Sequence, residues 1–217
     1  MKALLFLPLL LIAPTYTTKT VKDTAPPKEL SAAMRGLLAP ECVQLLDDKE
    51  TPLVEVWFCK QVAVEATAAQ IANGLTYDEV PVSTVLGAVR FGQAWYDYRK
   101  QKIAPGVYTL RVARQPGDGD HKGTAPTVDF CILCPAADDK KPDLMEAKAL
   151  QELSLSVGDD HPGVVLLFPG KGAGKVPKLV TRNKDHSVLL VELPAKAGDK
   201  KATLRVGLTL VGGSASR

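Results

Sequence analysis

The feature that most constrains the fold of this chain is a series of short apolar runs separated by turn-forming residues. The runs are rich in β-branched and aromatic residues, which is typical of strands. They predict strands at 42–46, 53–60, 85–91, 106–113, 127–134, 163–168, 177–182, 187–193 and 203–211. Strands and helices do not alternate regularly, so the sequence predicts an all-β fold, an antiparallel sandwich with one or two short helices.

The predicted strand 106–113 alternates between two kinds of side chain. One side would carry Tyr108, Leu110 and Val112, and the other Val107, Thr109 and Arg111. This pattern favours a sheet with one buried face and one solvent-facing face. We expect a set of large apolar side chains to be largely buried: Trp57, Phe58, Tyr108, Leu110, Phe130, Leu167 and Leu190.

Two segments have the spacing of short helices. Apolar residues recur at helical intervals across 30–38, and Pro40 would end that helix. A second helix is predicted to begin at Pro142 and to continue through Leu150. The signals in 66–81 are weak and fit either a helical turn or a loop.

The first residues of the chain predict export. Lys2 precedes an apolar run over residues 3–13, which has the length of a signal-peptide core, whereas a membrane span needs about 20 residues. Cleavage after Thr17 and a cut near Ala13 both fit the sequence. We therefore divide the chain into a signal peptide (1–17), a flexible leader (18–29), one β-sandwich domain (30–211) and a frayed tail (212–217).

Charge and composition narrow the partners that we expect. The formal net charge is only +3, which gives no electrostatic case for binding nucleic acid. No later segment is apolar enough to predict a membrane span. We expect the processed chain to reside in the periplasm or outside the cell, with a protein or a small ligand as its partner.

Several phrases of the sequence resemble known exported proteins. The turn and strand PGVYTLRV (105–112) resembles a strand of immunoglobulin-like and transthyretin-like bacterial sandwiches. The series VEVWFCK (54–60), GAVRF…DYR (87–99), QPGDGDHKGTAP…DF (115–130) and DDHPGVVLLF (159–168) resembles a group of secreted bacterial proteins without a known activity. The resemblance implies export and a sandwich fold, and it supplies no catalytic residue.

Two loops combine carboxylates with histidine, and they are the candidate metal site. Asp118, Asp120 and His121 lie in a glycine-rich stretch, and Asp159, Asp160 and His161 precede a proline. Such ligands suit Ca²⁺, Mn²⁺ or Zn²⁺ in different mixtures, although the spacing matches neither a calcium loop nor a zinc-protease motif. Turns use the same residues for their own hydrogen bonds, and the sequence favours this interpretation, which needs no ion. The candidate ligands are Asp118, Asp120, His121 and His161, and no other cofactor is expected.

The remaining polar motifs favour structural roles. Cys131 and Cys134 have the spacing of a redox motif, but in a strand their side chains would point to opposite faces. Cys42 and Cys59 flank the first predicted hairpin, and both a bond between them and burial as free thiols fit the sequence. His186 and the carboxylate pair Asp138 and Asp139 are expected in solvent-exposed turns.

Two functions from different classes follow. The first is a non-enzymatic exported domain that binds a partner or a small ligand, or has a structural role in a surface assembly. The alternative is a metal-binding protein or metal-assisted hydrolase that uses the 118–121 and 159–161 loops. No complete catalytic motif is present in the sequence, which favours the first.

Export predicts a processed N-terminus. We expect the natively expressed protein to begin near Lys19, because the apolar core of the signal peptide ends at Ala13. Intact-mass spectrometry of the protein from its native host measures this directly. A cytoplasmic species that retains Met1 would contradict the prediction.

Overall fold

The fold is described by a computed structural model, which covers residues 16–115, 125–159, 161–170, 174–182 and 186–212. Strands make up most of the regular structure, and nearly all of their pairings are antiparallel. The predicted all-β antiparallel fold, with a sandwich-like arrangement and short helices, is therefore confirmed.

The strands alternate with only a few helical turns. They are β1 (Thr17–Lys22), β2 (Glu41–Leu46), β3 (Pro52–Phe58), β4 (Val62–Ala63), β5 (Val85–Phe91), β6 (Trp95–Tyr96), β7 (Lys102–Ile103), β8 (Gly106–Arg114), β9 (Asp129–Pro135), β10 (Val164–Pro169), β11 (Lys178–Arg182), β12 (His186–Ala197) and β13 (Lys200–Val211). The helices are α1 (Ala32–Leu37), α2 (Ala68–Asn73), α3 (Ala147–Ser154) and a 3-10 turn (Tyr77–Glu79).

One large curled sheet contains most of the strands, in the order β1-β2-β3-β5-β8-β9-β10-β13-β12-β11. β4 adds to β12 as a parallel strand, and β6 and β7 form a separate hairpin. Cα atoms of the two end strands, β1 and β11, come within 8 Å of each other. The sheet therefore folds over on itself around one main apolar core.

That core collects apolar side chains from both halves of the sheet. Trp57 and Leu110 come from one half and Leu167 from the middle, and all three are almost completely enclosed. Phe58, Tyr108 and Leu190 are also buried, as predicted, whereas Phe130 is only half-buried. The apolar pattern of the strands thus predicted nearly all of these positions.

The expectation of one solvent-facing side on the strand now defined as β8 is wrong. Thr109 and Arg111, which alternation placed on the polar side, are fully enclosed. They contact Asp139 in the segment that leads into α3, and α3 itself packs through Leu150 on the same outer face. A covering segment from later in the chain therefore buries the face that alternation assigned to solvent.

The segment expected to be a flexible leader is structured at its start. β1 pairs with β2 over its whole length, from Thr17 opposite Leu46 to Lys22 opposite Glu41. No side chain of β1 is buried, so backbone hydrogen bonds to the open edge of β2 hold the strand. A polar strand of this kind has no apolar alternation, and the sequence pattern could not predict it.

The helical predictions were close. α1 lies within 30–38 and ends before Pro40, with the Ser31 side chain accepting a hydrogen bond from the Met34 N–H at its start. α3 begins after Glu146, later than the Pro142 start that was predicted. The ambiguous stretch 66–81 contains α2 and the 3-10 turn.

The two halves of the sheet meet where β10 pairs with β13, and Tyr77 reinforces this junction. Its hydroxyl donates to the carbonyl of Phe168 at 2.8 Å and accepts from the N–H of Gly207 at 2.9 Å. Phe168 and Gly207 are register partners, so one side chain bridges the two strands. Burial raises the pKa of the Tyr77 hydroxyl, which keeps its proton available for donation.

Replacing Tyr77 by Phe should destabilise the protein. The ring would still fill its place in the core, but the Phe168 carbonyl and the Gly207 N–H would lose a buried partner. We expect a loss of about 1–3 kcal/mol in the free energy of unfolding, measured by urea denaturation. Tyr96→Phe is the matched control, since Tyr96 is 61% exposed and its loss should stay within about 0.5 kcal/mol. Equal stability of both variants would contradict a role for the bridge.

Candidate functional site

Of the four predicted metal ligands, His161 alone is among the residues that the structure describes. Asp118, Asp120, His121 and Asp160 lie outside the described residues. His161 is exposed, and its backbone N–H donates to the Gln101 side chain at 3.1 Å. Within the part of the chain that the structure describes, no group of three His, Cys, Asp or Glu side chains is placed to hold a metal ion.

A different site lies at the junction of the two sheet halves. β10 pairs with β13 only from Leu167 to Pro169, whereas its first half, from Val164 to Leu166, pairs with β9. The β6–β7 hairpin and the residues that follow β6 lie against the gap. The small cavity there, which we call the seam pocket, has a volume of ≈ 10 Å³ and is lined by Trp95, Tyr96, Asp97, Tyr98, Val164, Val165, Leu166, Thr209, Leu210 and Gly212.

Asp97 is the buried charged group of the seam pocket, with 4% of its surface exposed. Its carboxylate accepts hydrogen bonds from the backbone N–H of Gln101 at 2.9 Å, the Gln101 amide at 2.8 Å and the Val164 N–H at 3.2 Å. Burial raises the pKa of Asp97, and these hydrogen bonds oppose the rise. A buried carboxylate with a raised pKa beside a cavity is a typical feature of functional sites.

Gln101 connects Asp97 to the loop that carries His161. The same amide that donates to Asp97 also donates to the Pro162 carbonyl at 3.3 Å, and its oxygen accepts from His161. The 158–162 loop is thus held against the turn that follows β6. One of the two loops predicted from sequence therefore lies next to the seam pocket, although its histidine side chain faces solvent.

Thr209 contributes a polar atom without a partner. Its residue is 6% exposed, and its hydroxyl oxygen has no hydrogen-bond partner among the described residues. Buried polar atoms without partners are rare in folded proteins, and each usually marks a bound water, an ion or a ligand site. At ≈ 10 Å³ the seam pocket is at the lower limit of the room that one water molecule needs, and the Thr209 oxygen itself has almost no accessible surface.

His186 is buried close by, contrary to the expectation that it is exposed. It is 7% exposed, and neither ring nitrogen has a hydrogen-bond partner among the residues described. Its ring lies between those of Tyr98, with centroids 5.8 Å apart, and Phe168, at 5.9 Å. Tyr98 therefore connects His186 to the seam pocket, because the same side chain lines that pocket.

These unpartnered groups border one small apolar cluster on the outer face of the sheet. Leu166, Phe168, Val188 and Leu190 form the cluster, which we call the outer cluster. Val188 is the register partner of Thr209, and Phe168 contacts His186. Within the described residues, all buried side-chain polar atoms that lack a partner belong to Thr209 and His186.

The other buried ionic group, Arg111 with Asp139, has the opposite character. The guanidinium donates two hydrogen bonds to the carboxylate, at 2.7 Å and 2.8 Å, and its remaining N–H groups reach the carbonyls of Ser83, Lys141 and Asp143. Every donor of the side chain is therefore used. The expectation that Asp139 is solvated is wrong, and the pair fastens the segment before α3 to β8 rather than offering a binding site.

The cysteines lie in the core as free thiols. Cys131 belongs to the main core and Cys134 to the cluster under α3, so the two side chains point to opposite faces, as the strand assignment predicted. Burial raises the pKa of Cys134 to about 12 and that of Cys42 to about 11. Thiols with such pKa values are weak nucleophiles at neutral pH, which is typical of structural cysteines.

Comparison with known proteins adds no relative: no protein-family model matches the chain, and no curated protein or solved structure is similar enough to count as a match. None of the helices in the described parts of the chain has the length and apolar character needed to cross a membrane. The site is therefore interpreted from its own geometry.

The sequence pattern did not predict the seam pocket, although one local signal was present. Trp95, Tyr96 and Tyr98 surround Asp97 in a short stretch of a chain that is only 6% aromatic. Such a concentration of aromatic side chains around one acid is a feature that a scan for local enrichment would find. Thr209 and His186 gave no signal, because only the packing of other segments buries them.

Asp97→Asn should destabilise the protein more strongly at acid pH than at neutral pH. Asparagine retains one acceptor, but its NH₂ group would face the donors of Gln101 and Val164, at a cost of about 1–3 kcal/mol. Because the pKa of Asp97 is raised in the folded protein, the ionised form of Asp97 opposes folding. Asp97 therefore contributes most to stability when its carboxyl group is protonated, and this contribution is lost as the pH rises through the folded-state pKa.

Urea denaturation of the wild type and Asp97→Asn tests this, at neutral pH and as the pH falls toward the ordinary carboxyl pKa of 3.8. The other carboxylates are common to both proteins, and their effects cancel in the difference. The stability difference should grow as the pH falls. A difference that shrinks instead would show that the pKa of Asp97 is lowered in the folded protein.

Proposed function

We propose that this protein is an exported, non-enzymatic binding domain that takes a small ligand or a partner group at the seam pocket. The observation that carries the proposal is the position of Thr209, which lines the pocket and whose buried hydroxyl has no partner among the described residues. His186, whose ring nitrogens also lack a described partner, lies next to the lining residue Tyr98. The Thr209 oxygen has almost no accessible surface, so a ligand would reach it by a rotation of the side chain, and the hydrogen bonds formed would offset the cost of burying the hydroxyl.

The construction of the site also supports binding. The seam pocket lies between secondary-structure elements that are themselves well anchored, with Asp97 and Gln101 holding the turn and β13 supplying Thr209. Loops positioned by a rigid sheet are a common place for recognition. Export is proposed from the signal-like N-terminus and from the resemblance to secreted bacterial sandwiches.

The alternative function, a metal-binding protein or metal-assisted hydrolase, depends on Asp118, Asp120, His121 and His161. One observation supports this alternative. The Gln101 side chain, which donates to Asp97, also bonds the backbone of His161 and Pro162 in the second predicted loop. The proposed binding domain needs no ion, because hydrogen bonds from Gln101 and Val164 already satisfy the Asp97 carboxylate.

Thr209→Val tests the binding proposal by separating stability from binding. Valine has nearly the same shape and removes an unpartnered hydroxyl, so the melting temperature should stay equal or rise. In a nuclear magnetic resonance screen against a panel of small polyols, amides, amines and carboxylates, we expect binding fragments to shift the resonances of Thr209, Tyr98 and His186. The variant should lose those responses.

The matched control is Thr84→Val, a buried threonine outside the seam pocket, which should retain the responses. Fragments that map elsewhere on the protein, or that respond equally in both variants, would contradict the proposed site. A clear fall in the melting temperature of Thr209→Val would show that its hydroxyl has a structural partner.

Metal titration distinguishes the alternative function. We expect no specific change in melting temperature with excess Ca²⁺, Mn²⁺ or Zn²⁺ compared with chelator. A site of useful affinity would raise the midpoint by roughly 2–4 °C for each kcal/mol of stabilisation. A shift with one metal that both His121→Ala and His161→Ala abolish would favour the metal-dependent function instead.

A further inference from the structure

We infer that Asn73 and Gly74 form a modification site, at which Asn73 loses its side-chain amide as ammonia and the backbone becomes an isoaspartyl link. Four observations at the end of α2 support this assignment: the Asn-Gly pair, its exposure, the open space around Gly74 and the connection of the segment to Tyr77. The change affects the chain itself, so it does not depend on the ligand of the seam pocket.

The reaction starts at the backbone nitrogen of Gly74. After this nitrogen loses its proton to hydroxide, it attacks the side-chain carbonyl carbon of Asn73, and the amide nitrogen leaves as ammonia with a proton from water. The product is a cyclic imide, which water opens at either carbonyl to give aspartate or isoaspartate. Glycine favours the attack because it has no side chain that obstructs the ring closure. The net reaction consumes one water, releases one ammonia and needs no other reactant.

The end of α2 leaves this pair accessible to solvent. Asn73 is the last residue of the helix, both Asn73 and Gly74 are exposed, and α2 has no buried residue. Gly74 adopts a positive φ of 87°, and a Cβ built on it would meet no atom within 4 Å beyond its chain neighbours. Water therefore reaches the pair, and the ring has room to form.

One hydrogen bond opposes the attack. The Gly74 N–H donates to the carbonyl of Ile71 at 3.2 Å, which occupies the nitrogen and holds Asn73 in the last turn of the helix. Helices as short as α2 are marginal by themselves, and helix ends fray. Local opening of a segment with few buried contacts costs little free energy. Each opening releases the nitrogen, and the pair reacts from this frayed form.

The segment that follows α2 leads directly to the junction of the two sheet halves. Gln70 of α2 donates to the Glu79 carboxylate at 2.9 Å, and the same carboxylate accepts from the Thr76 N–H at 2.7 Å. These bonds hold α2 against the 3-10 turn that carries Tyr77, whose hydroxyl joins β10 to β13. An isoaspartyl link lengthens the backbone between helix and turn by one methylene and adds a carboxylate at the negative end of the helix dipole. We therefore expect the modification to destabilise the fold.

Peptide mapping of the purified full-length chain, aged at neutral and at mildly alkaline pH, tests the assignment. We expect the peptide that contains Asn73 to lose its amide and to split into aspartyl and isoaspartyl forms, which chromatography separates and fragmentation locates. The loss should be faster at alkaline pH, because the attacking nitrogen must first lose its proton. Asn183, the other asparagine of the chain, precedes a lysine and is the internal control, which should retain its amide for longer.

Two variants separate the modification from its effect on stability. Asn73→Gln retains an exposed amide but would have to form a larger ring, so its melting temperature should not change on ageing. Asn73→Asp, measured fresh, adds the negative charge without lengthening the backbone. The melting temperature of the aged wild type should be lower than that of the fresh wild type and of both fresh variants.

Other results overturn the assignment in whole or in part. Retention of the Asn73 amide at both pH values, or equal loss at Asn73 and Asn183, would overturn the site and show that the hydrogen bond of the Gly74 N–H protects it. An equal fall in melting temperature on ageing of the wild type and Asn73→Gln would overturn the effect on stability. If fresh Asn73→Asp melts as low as the aged wild type, charge alone causes the effect, and the role of the lengthened backbone is overturned.

Discussion

The hydroxyl of Tyr77 is the contact on which the closure of the sheet depends. β10 pairs with β13 over only Leu167–Pro169, a short ladder for the step that joins the two halves of the sheet. Within that ladder the hydroxyl bridges a carbonyl and an N–H of facing strands. Gly207 is required there as well, because a Cβ at this position would come 2.7 Å from the Phe168 carbonyl oxygen. The junction therefore combines a side-chain bridge with a position where any residue other than glycine would displace the neighbouring backbone.

The seam pocket follows from the same junction. The first half of β10 pairs with β9, so the edge of β13 that faces away from β12 lies there against the β6–β7 hairpin. Asp97 and Gln101 supply part of the missing hydrogen bonding through Val164 and the 158–162 loop. The Thr209 hydroxyl is left without a partner among the described residues, and this unpartnered group at the end of the junction supports the proposed function.

The two buried ionisable sites differ in their partners, and this difference supports the location that we propose for the binding site. The guanidinium of Arg111 is neutralised by Asp139 and uses all of its donors, so nothing remains for a ligand to satisfy. Asp97 is buried with hydrogen bonds from neutral donors only, and its pKa is raised. An ion pair with all its donors used fastens the fold, whereas a buried carboxylate without a charged partner beside a cavity is a typical feature of functional sites.

The sequence by itself determined the local elements of this protein. Apolar runs between turn residues predicted the long strands within a few residues, and the spacing of CILC placed Cys131 and Cys134 on opposite faces. These features depend on residue type and short spacing, which are visible along the chain. Only the tertiary structure decided which polar residues are buried. Arg111, Asp139, Thr209 and His186 are enclosed by segments distant in sequence, and β1 is held by the backbone edge of β2. Whether a residue is buried, and whether its backbone is paired, depends on which distant segments pack against it. The type of the residue itself does not specify those segments.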